Sequence, residues 1–256
     1  MRKCILVLGM HRSGTSMLNG VLKTIGVFTG KDEYMLDPVF FNPKTKQFNA
    51  KGFFEITEIT NFNEELLQAF DASWITPQNL PENWLDNKNI EIFKKKLAEI
   101  IHFHFKEINI FSIKDPRICL LLPIYEHVLT EMGIEIIYIL INRNKNEVLR
   151  SLSNVLQDEK NQVWNQEKQA NPDLNHQLYE IKIFKHLDKI YQHYINQLNK
   201  YLVGKKYLII SYNAFLEKTE INTDRLYHYI NDKSLIRPEL VKENIKAFVD
   251  KKLKTY

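Results

Sequence analysis

The reading of this chain turns on its first segment, Cys4-Ile5-Leu6-Val7-Leu8, followed at once by Gly9-Met10-His11-Arg12-Ser13-Gly14-Thr15-Ser16 and then by a periodic apolar run to Ile25. A short apolar run closed by glycine predicts a buried strand, and residues 15–25 predict a helix. Gly9 and Gly14 let the backbone turn sharply and approach a ligand. The amides and positive end of the following helix attract a phosphate or sulfate. Strand, glycine loop and helix together make an anion cradle. The same residues also suit an ordinary turn whose Ser and Thr cap the helix, so the loop alone does not choose between the two.

The spacing copies the nucleotide loop G-x-x-x-x-G-K-[ST], with one departure. Thr15 stands where the lysine belongs, and the cation has moved inside the loop as Arg12. A kinase or ATPase using ATP and magnesium needs that lysine on its β- and γ-phosphates, and an aspartate ending a later strand for the metal. Asp115 meets the second requirement only loosely.

Working outward, 109–113 (NIFSI), 135–141 (EIIYILI) and 205–211 (KKYLIIS) repeat the pattern of a short apolar run bounded by polar, Gly or Pro signals. Helical periodicity fills 87–106, 144–157 and 172–202, and 238–252 closes the chain with Pro238 early in its turn. The expected fold is α/β: a single P-loop-like domain, with a central, mainly parallel sheet of four or five strands flanked by helices. One domain is expected over 1–256, with 157–256 helical plus the last strand. Residues 26–54, broken by Gly26, Gly30, Pro38, Pro43 and Gly52, form a long irregular connection of the kind that carries function.

Composition bounds the rest. With 256 residues, 44% hydrophobic and 12% aromatic, the chain can bury one substantial core. A formal net charge of +4 is too mild for a nucleic-acid binder, so a local site must carry any anion recognition. Cys4 and Cys119 lie in apolar runs and read as buried thiols in a reducing cytoplasm. No run approaches the roughly 20 residues of a membrane span, so none is expected. His102 and His104, two apart on a helix, do not share a face, and no metal site is expected. Nothing in the sequence reads on oligomeric state.

A second anion site emerges where the third strand ends, at Asn142-Arg143-Asn144 through Ser151. An arginine at a strand's C-terminal end and a serine eight residues on, along the next helix, can converge on one anion in the crevice of an α/β sheet. Arg150 reads as a solvated charge. The second strand runs into Lys114-Asp115-Pro116-Arg117, which places Lys114 at the same edge as Arg12, where a cation can neutralise a developing charge. Arg117 is the weaker candidate there.

Strand–GxxRSGTS–helix resembles the 5′-phosphosulfate loop of sulfotransferases that use 3′-phosphoadenosine 5′-phosphosulfate (PAPS), above all the bacterial and tyrosyl-protein branches. R-N-x-x-x-V-x-x-S-L at 143–152 is similar to the family's 3′-phosphate motif, with Lys145 in place of its usual proline. The resemblance implies that Arg12, Ser13, Gly14, Thr15 and Ser16 hold the 5′-phosphosulfate. Arg143 and Ser151 would hold the 3′-phosphate, and Arg12 would face the bridging oxygen. The Lys114-Asp115-Pro116 element is similar to one in those branches whose lysine lies near the transferred group. It further implies direct transfer of a sulfuryl group to an acceptor hydroxyl, 3′,5′-ADP as product and no metal. The likeness runs from Gly9 to Ser151 and fades beyond, which implies a donor-binding core in 1–156 and the acceptor side in 157–256.

Such a reaction needs a base, and the family supplies it from the segment after the first helix, which here holds Asp32, Glu33, Asp37, Glu55 and Glu58. Glu55, in Asn49-Ala50-Lys51-Gly52-Phe53-Phe54-Glu55, resembles the N-P-x-G-[YF]-[WF]-E element of bacterial members and ranks first. Glu33 matches the tyrosyl-protein branch by its distance from Arg12, and His11 is a third candidate. The acceptor is open between a glycan and a small molecule such as a natural product or phenol. Phe40, Phe41, Phe48, Phe53, Phe54, Trp74 and Trp84 are aromatic residues that either stack on it or belong to the core. An inactive nucleotide-binding module is the non-enzymatic alternative.

Overall fold

A computed structural model describes residues 1–37, 52–170 and 175–249. Four strands, β1 (Lys3–Leu8), β2 (Ile110–Lys114), β3 (Glu135–Asn142) and β4 (Tyr207–Ser211), form one sheet in the order β2-β1-β3-β4. Every pairing is parallel. The fold is thus α/β with a wholly parallel sheet among the described residues. β1 sits in the middle because its residues are apolar on both faces. Cys4, Leu6 and Leu8 join one hydrophobic cluster, and Ile5 and Val7 join the other. Parallel strands read this way because helices cover both sides.

The helices are α1 (Thr15–Thr24), α2 (Thr57–Gln68), α3 (Ile90–Phe105), α4 (Ile118–Glu131), α5 (Lys145–Val155), α6 (Gln157–Ala170), α7 (His176–Leu202), α8 (Tyr212–Glu217), α9 (Thr219–Ile230) and α10 (Lys242–Phe248). The first cluster packs residues of α2, α3, α4, α5 and α7 against the sheet, and the second packs α1, α8, α9 and α10. The expected helices at 15–25, 87–106 and 144–157 are present within a few residues. The helix expected at 172–202 runs from His176, with Pro172 outside the described residues. Pro238 opens a separate 3₁₀ turn, Pro238–Leu240, and α10 follows it. α6, α8 and α9 were not read from the sequence.

Topology fixes the site. The chain leaves β1 for β2 on one side and returns for β3 on the other, and ligands of open α/β sheets bind at such a switch point beyond the strand ends. Register brings the ends level: Val7 pairs with Lys114, Leu8 with Leu140, and Asn142 with Ser211. The loop at 9–14, Lys114, Arg143 and Tyr212 therefore emerge along one edge.

Candidate functional site

The loop after β1 takes its shape from two glycines. A Cβ on Gly9 would lie 2.6 Å from both the Ile141 carbonyl oxygen and Ser13 Oγ. Gly14, at φ +103°, N-caps α1 so closely under Tyr212 that a Cβ would lie 2.3 Å from that ring. Between them Arg12 adopts φ +68°, an uncommon conformation for a residue with a side chain. Ser13 Oγ donates to the Met10 carbonyl at 2.6 Å, tightening the turn.

Two motifs far apart in sequence meet here. Arg12 Nε donates to Ser151 Oγ at 2.9 Å, and Arg143 Nη1 donates to the Arg12 carbonyl at 3.3 Å. Glu147 orients Arg143 through its Nε at 2.7 Å and accepts from Asn213 Nδ2 at 3.1 Å. The Arg143 guanidinium also lies 4.7 Å from the centre of the Tyr212 ring, a cation–π contact. Asn144 caps α5 by accepting from the amides of Asn146 and Glu147, which fixes the helix carrying Ser151. Burial, and then the like charge of Arg143, lower the Arg12 pKa to about 10, with Tyr212 opposing. Two guanidiniums forced together in a buried crevice favour an anion between them. The residues Tyr212, Asn213 and Glu147 escaped sequence reading, although Tyr212 follows directly on a parallel strand's C-terminal end, which was the available signal.

On the other side of β1 a second charged group forms. Lys114 Nζ donates to Ser16 Oγ at 3.1 Å, to the Phe53 carbonyl at 3.0 Å and to Glu55 Oε1. Arg117 pairs with Asp115 at 3.1 Å and with Glu64 at 2.5 Å. Burial works against the Arg117 charge, but Asp115, Glu64, Glu55 and Tyr194 outweigh it and raise its pKa. Burial raises the proton affinity of the Glu55 carboxyl, and Lys114 is the main opposing influence.

The segment that delivers Glu55 is tied down at three successive carbonyls. Lys114 Nζ binds Phe53 O, Asn19 Nδ2 binds Phe54 O at 3.1 Å, and the Leu36 amide binds Glu55 O at 2.8 Å. Phe54 sits at φ +55°. Of the five carboxylates offered by the sequence, Glu55 alone is buried. Asp32 and Glu33 lie on an exposed 3₁₀ turn, where Asp32 pairs with Lys23 and Glu33 with Lys31, and Glu58 pairs with His104 on α3. Asn49, Ala50 and Lys51, with Phe40, Phe41 and Phe48, lie outside the described residues.

His11 packs against Trp74, at 4.9 Å between ring centres, and meets Tyr194 edge-on at 5.9 Å. Its Nε2 is shut from solvent with no hydrogen-bond partner. Burial, then Arg117, Lys114 and Arg12, push its pKa well below the usual histidine range, so the ring is neutral. Among the described residues, no group of three or more His, Cys, Asp or Glu side chains could hold a metal ion, and no helix is long and apolar enough to cross a membrane. Cys4 and Cys119 are buried thiols, and Trp84 belongs to the core.

No protein-family model matches the chain, and no curated protein matches it. Among solved structures, a sulfotransferase domain from the curacin biosynthetic pathway superposes with a TM-score of 0.46 at 16% identity, over 94% of this chain and 77% of that one.

Proposed function

We propose that this chain is a sulfotransferase that moves a sulfuryl group from PAPS to an acceptor hydroxyl. The observation that carries the reading is the meeting of the loop at Arg12 with Arg143 and Ser151, 139 residues from Arg12 in the case of Ser151. Two separated motifs, each after a parallel strand, converge at one sheet edge as a donor with phosphates at both ends of its ribose requires. Burial and then the neighbouring Arg143 charge lower the Arg12 pKa, and two cations held together in a crevice fit a polyanion. Arg12, Ser13, Gly14, Thr15 and Ser16 are assigned to the 5′-phosphosulfate, and Arg143 and Ser151 to the 3′-phosphate.

When bound, PAPS supplies a sulfuryl group and a phosphate leaving group. Glu55 takes the proton of the acceptor hydroxyl while that oxygen forms its bond to sulfur, and the bridging oxygen leaves with the electron pair of the broken S–O bond. Arg12 and Lys114 stabilise the charge that develops across the transfer. Glu33 and His11 stand behind Glu55 as bases. Glu55 is favoured because it is buried and held beside Lys114. The assignment spans one domain whose part beyond residue 156 also reaches the donor side, through Tyr212 over Gly14. The acceptor is a glycan or a small natural product, and the two buried thiols suit a cytoplasmic setting.

The ATP–magnesium reading is disfavoured by two contacts. Thr15 is buried in the lysine position, and both carboxylate oxygens of Asp115 are engaged by Arg117, at 3.1 and 3.2 Å. The test is a thermal-shift titration with 3′,5′-ADP, 5′-AMP and ATP plus magnesium, since a bound ligand raises the melting temperature by mass action. The largest rise is expected with 3′,5′-ADP. Stabilisation by ATP–magnesium without stabilisation by 3′,5′-ADP overturns the reading.

A further inference from the structure

Lys114 has no hydrogen-bonding capacity to spare. An ammonium carries three N–H donors, and here they meet Ser16 Oγ, the Phe53 carbonyl and the Glu55 carboxylate, with the lysine side chain 2% exposed and that of Glu55 8% exposed. A sulfuryl group at the loop has to displace one of these partners to gain the ammonium. The same contact occupies the carboxylate that has to take a proton. In this resting arrangement neither member of the pair can do its part of the transfer.

The two members differ in their freedom to move. Apart from its contact with Lys114, Glu55 belongs to a backbone pinned at the carbonyls of residues 54 and 55 by Asn19 and the Leu36 amide, with Phe54 already in the left-handed region. Lys114 carries its charge on a flexible four-carbon stem, and one of its partners, Ser16, is itself part of the anion cradle. The ammonium is thus the movable part, and its path leads toward the donor.

Resting on the sulfotransferase reading above, we propose that Lys114 is a latch: Glu55 holds it in the donor-free protein, and the sulfuryl group of the donor draws it away, releasing the carboxylate as a base. The donor then enters before the acceptor is activated. After transfer, 3′,5′-ADP has no sulfuryl group, and the ammonium returns to Glu55. The site in this way distinguishes the charged donor from the spent one with no separate sensor. The competing possibility is that the pair only clamps residues 53–55 to β2, in which case it is indifferent to the sulfuryl group.

Calorimetric titration of PAPS and of 3′,5′-ADP, without acceptor, separates the two. The proteins are the native chain, Glu55→Gln and Glu55→Asp. A competing contact lowers apparent affinity by the fraction of protein in which the binding group is free. Glu55→Gln should therefore bind PAPS about tenfold more tightly, while 3′,5′-ADP stays within about twofold. Glu55→Asp, which keeps the charge but shortens the reach, should shift in the same direction by less. Retained 3′,5′-ADP binding shows that each variant is folded, and the aspartate variant carries the test if the glutamine variant is not. Unchanged PAPS affinity in the folded variants, or an equal gain for both ligands, overturns the latch and leaves the functional reading standing. Failure of the native chain to bind either ligand overturns the functional reading and the latch with it.

Discussion

The two charged groups flanking β1 are built from similar residues and behave in opposite ways. On the β3 side Arg12 and Arg143 crowd each other, and burial together with this like charge holds Arg12 down to about 10. On the β2 side Arg117 lies among Asp115, Glu64 and Glu55, which hold it up, and Lys114 is spent on Glu55. In the first group Glu147 pairs with Arg143, yet Arg12 is still held down beside it, and an added negative charge would relieve that like-charge effect. In the second, Glu55, Glu64 and Asp115 pair with Lys114 and Arg117, and under the proposed latch this group has to be rearranged before it can act. On the proposed function, the crevice is divided into a part that binds the donor and a part that waits for it.

The contrast can be broken from either side, and the largest effect is expected on the compensated side. Glu55→Gln should lower sulfuryl transfer by roughly a hundredfold or more, the scale of a lost general base, while 3′,5′-ADP still binds. Near-normal turnover, measured as transfer of labelled sulfate from PAPS to acceptor, would move the base to Glu33 or His11. Next in size is Gly14→Ala on the binding side. Its new Cβ meets the Tyr212 ring, and φ there is +103°. Strain of this kind costs on the order of 1–3 kcal/mol, so the melting temperature should fall by several degrees, with a parallel loss of 3′,5′-ADP binding. A stable variant with native affinity would show that the loop is not held by Tyr212.

A smaller effect concerns His11, between the two groups. Its folded pKa is depressed, whereas in the unfolded chain it titrates near the ordinary value of about 6.5. Below that pH the unfolded state binds a proton that the folded state refuses, so this contribution to stability is lost as pH falls. His11→Phe keeps the packing against Trp74 and removes the titration. Its melting temperature should fall less than that of the native chain between pH 7 and pH 5. Identical falls would show that the ring is not buried neutral.

How much of this was legible follows the range of the interactions. Strands declared themselves locally: CILVL and EIIYILI are apolar on both faces, and the observed strands differ from the expected ones by at most two residues at an end. Lys114 and Arg143 were legible for the same reason, since the end of a parallel strand is a place in sequence and in space. α6 was not, because QDEKNQVWNQEKQA offers no apolar stripe for a period to be read from. α8 and α9 follow β4 with helix starts too close together to separate by periodicity. The base was legible only as a ranking, with Glu55 ahead of Glu33 and His11. Glu33 and Glu55 are comparable carboxylates along the chain, and only the fold exposes one and sets the other against a lysine 59 residues away. The Arg117–Glu64 pair and the Tyr212 contact with Gly14 are long-range for the same reason.

If Arg12, Arg143 and Ser151 read both phosphates of one donor, the preference for 3′,5′-ADP over 5′-AMP depends on Arg143. Titrated by calorimetry, Arg143→Ala should weaken 3′,5′-ADP by about tenfold to a hundredfold, the worth of a charge-assisted contact. The same variant should leave 5′-AMP within about threefold of the native affinity. Equal losses for the two nucleotides would contradict the account.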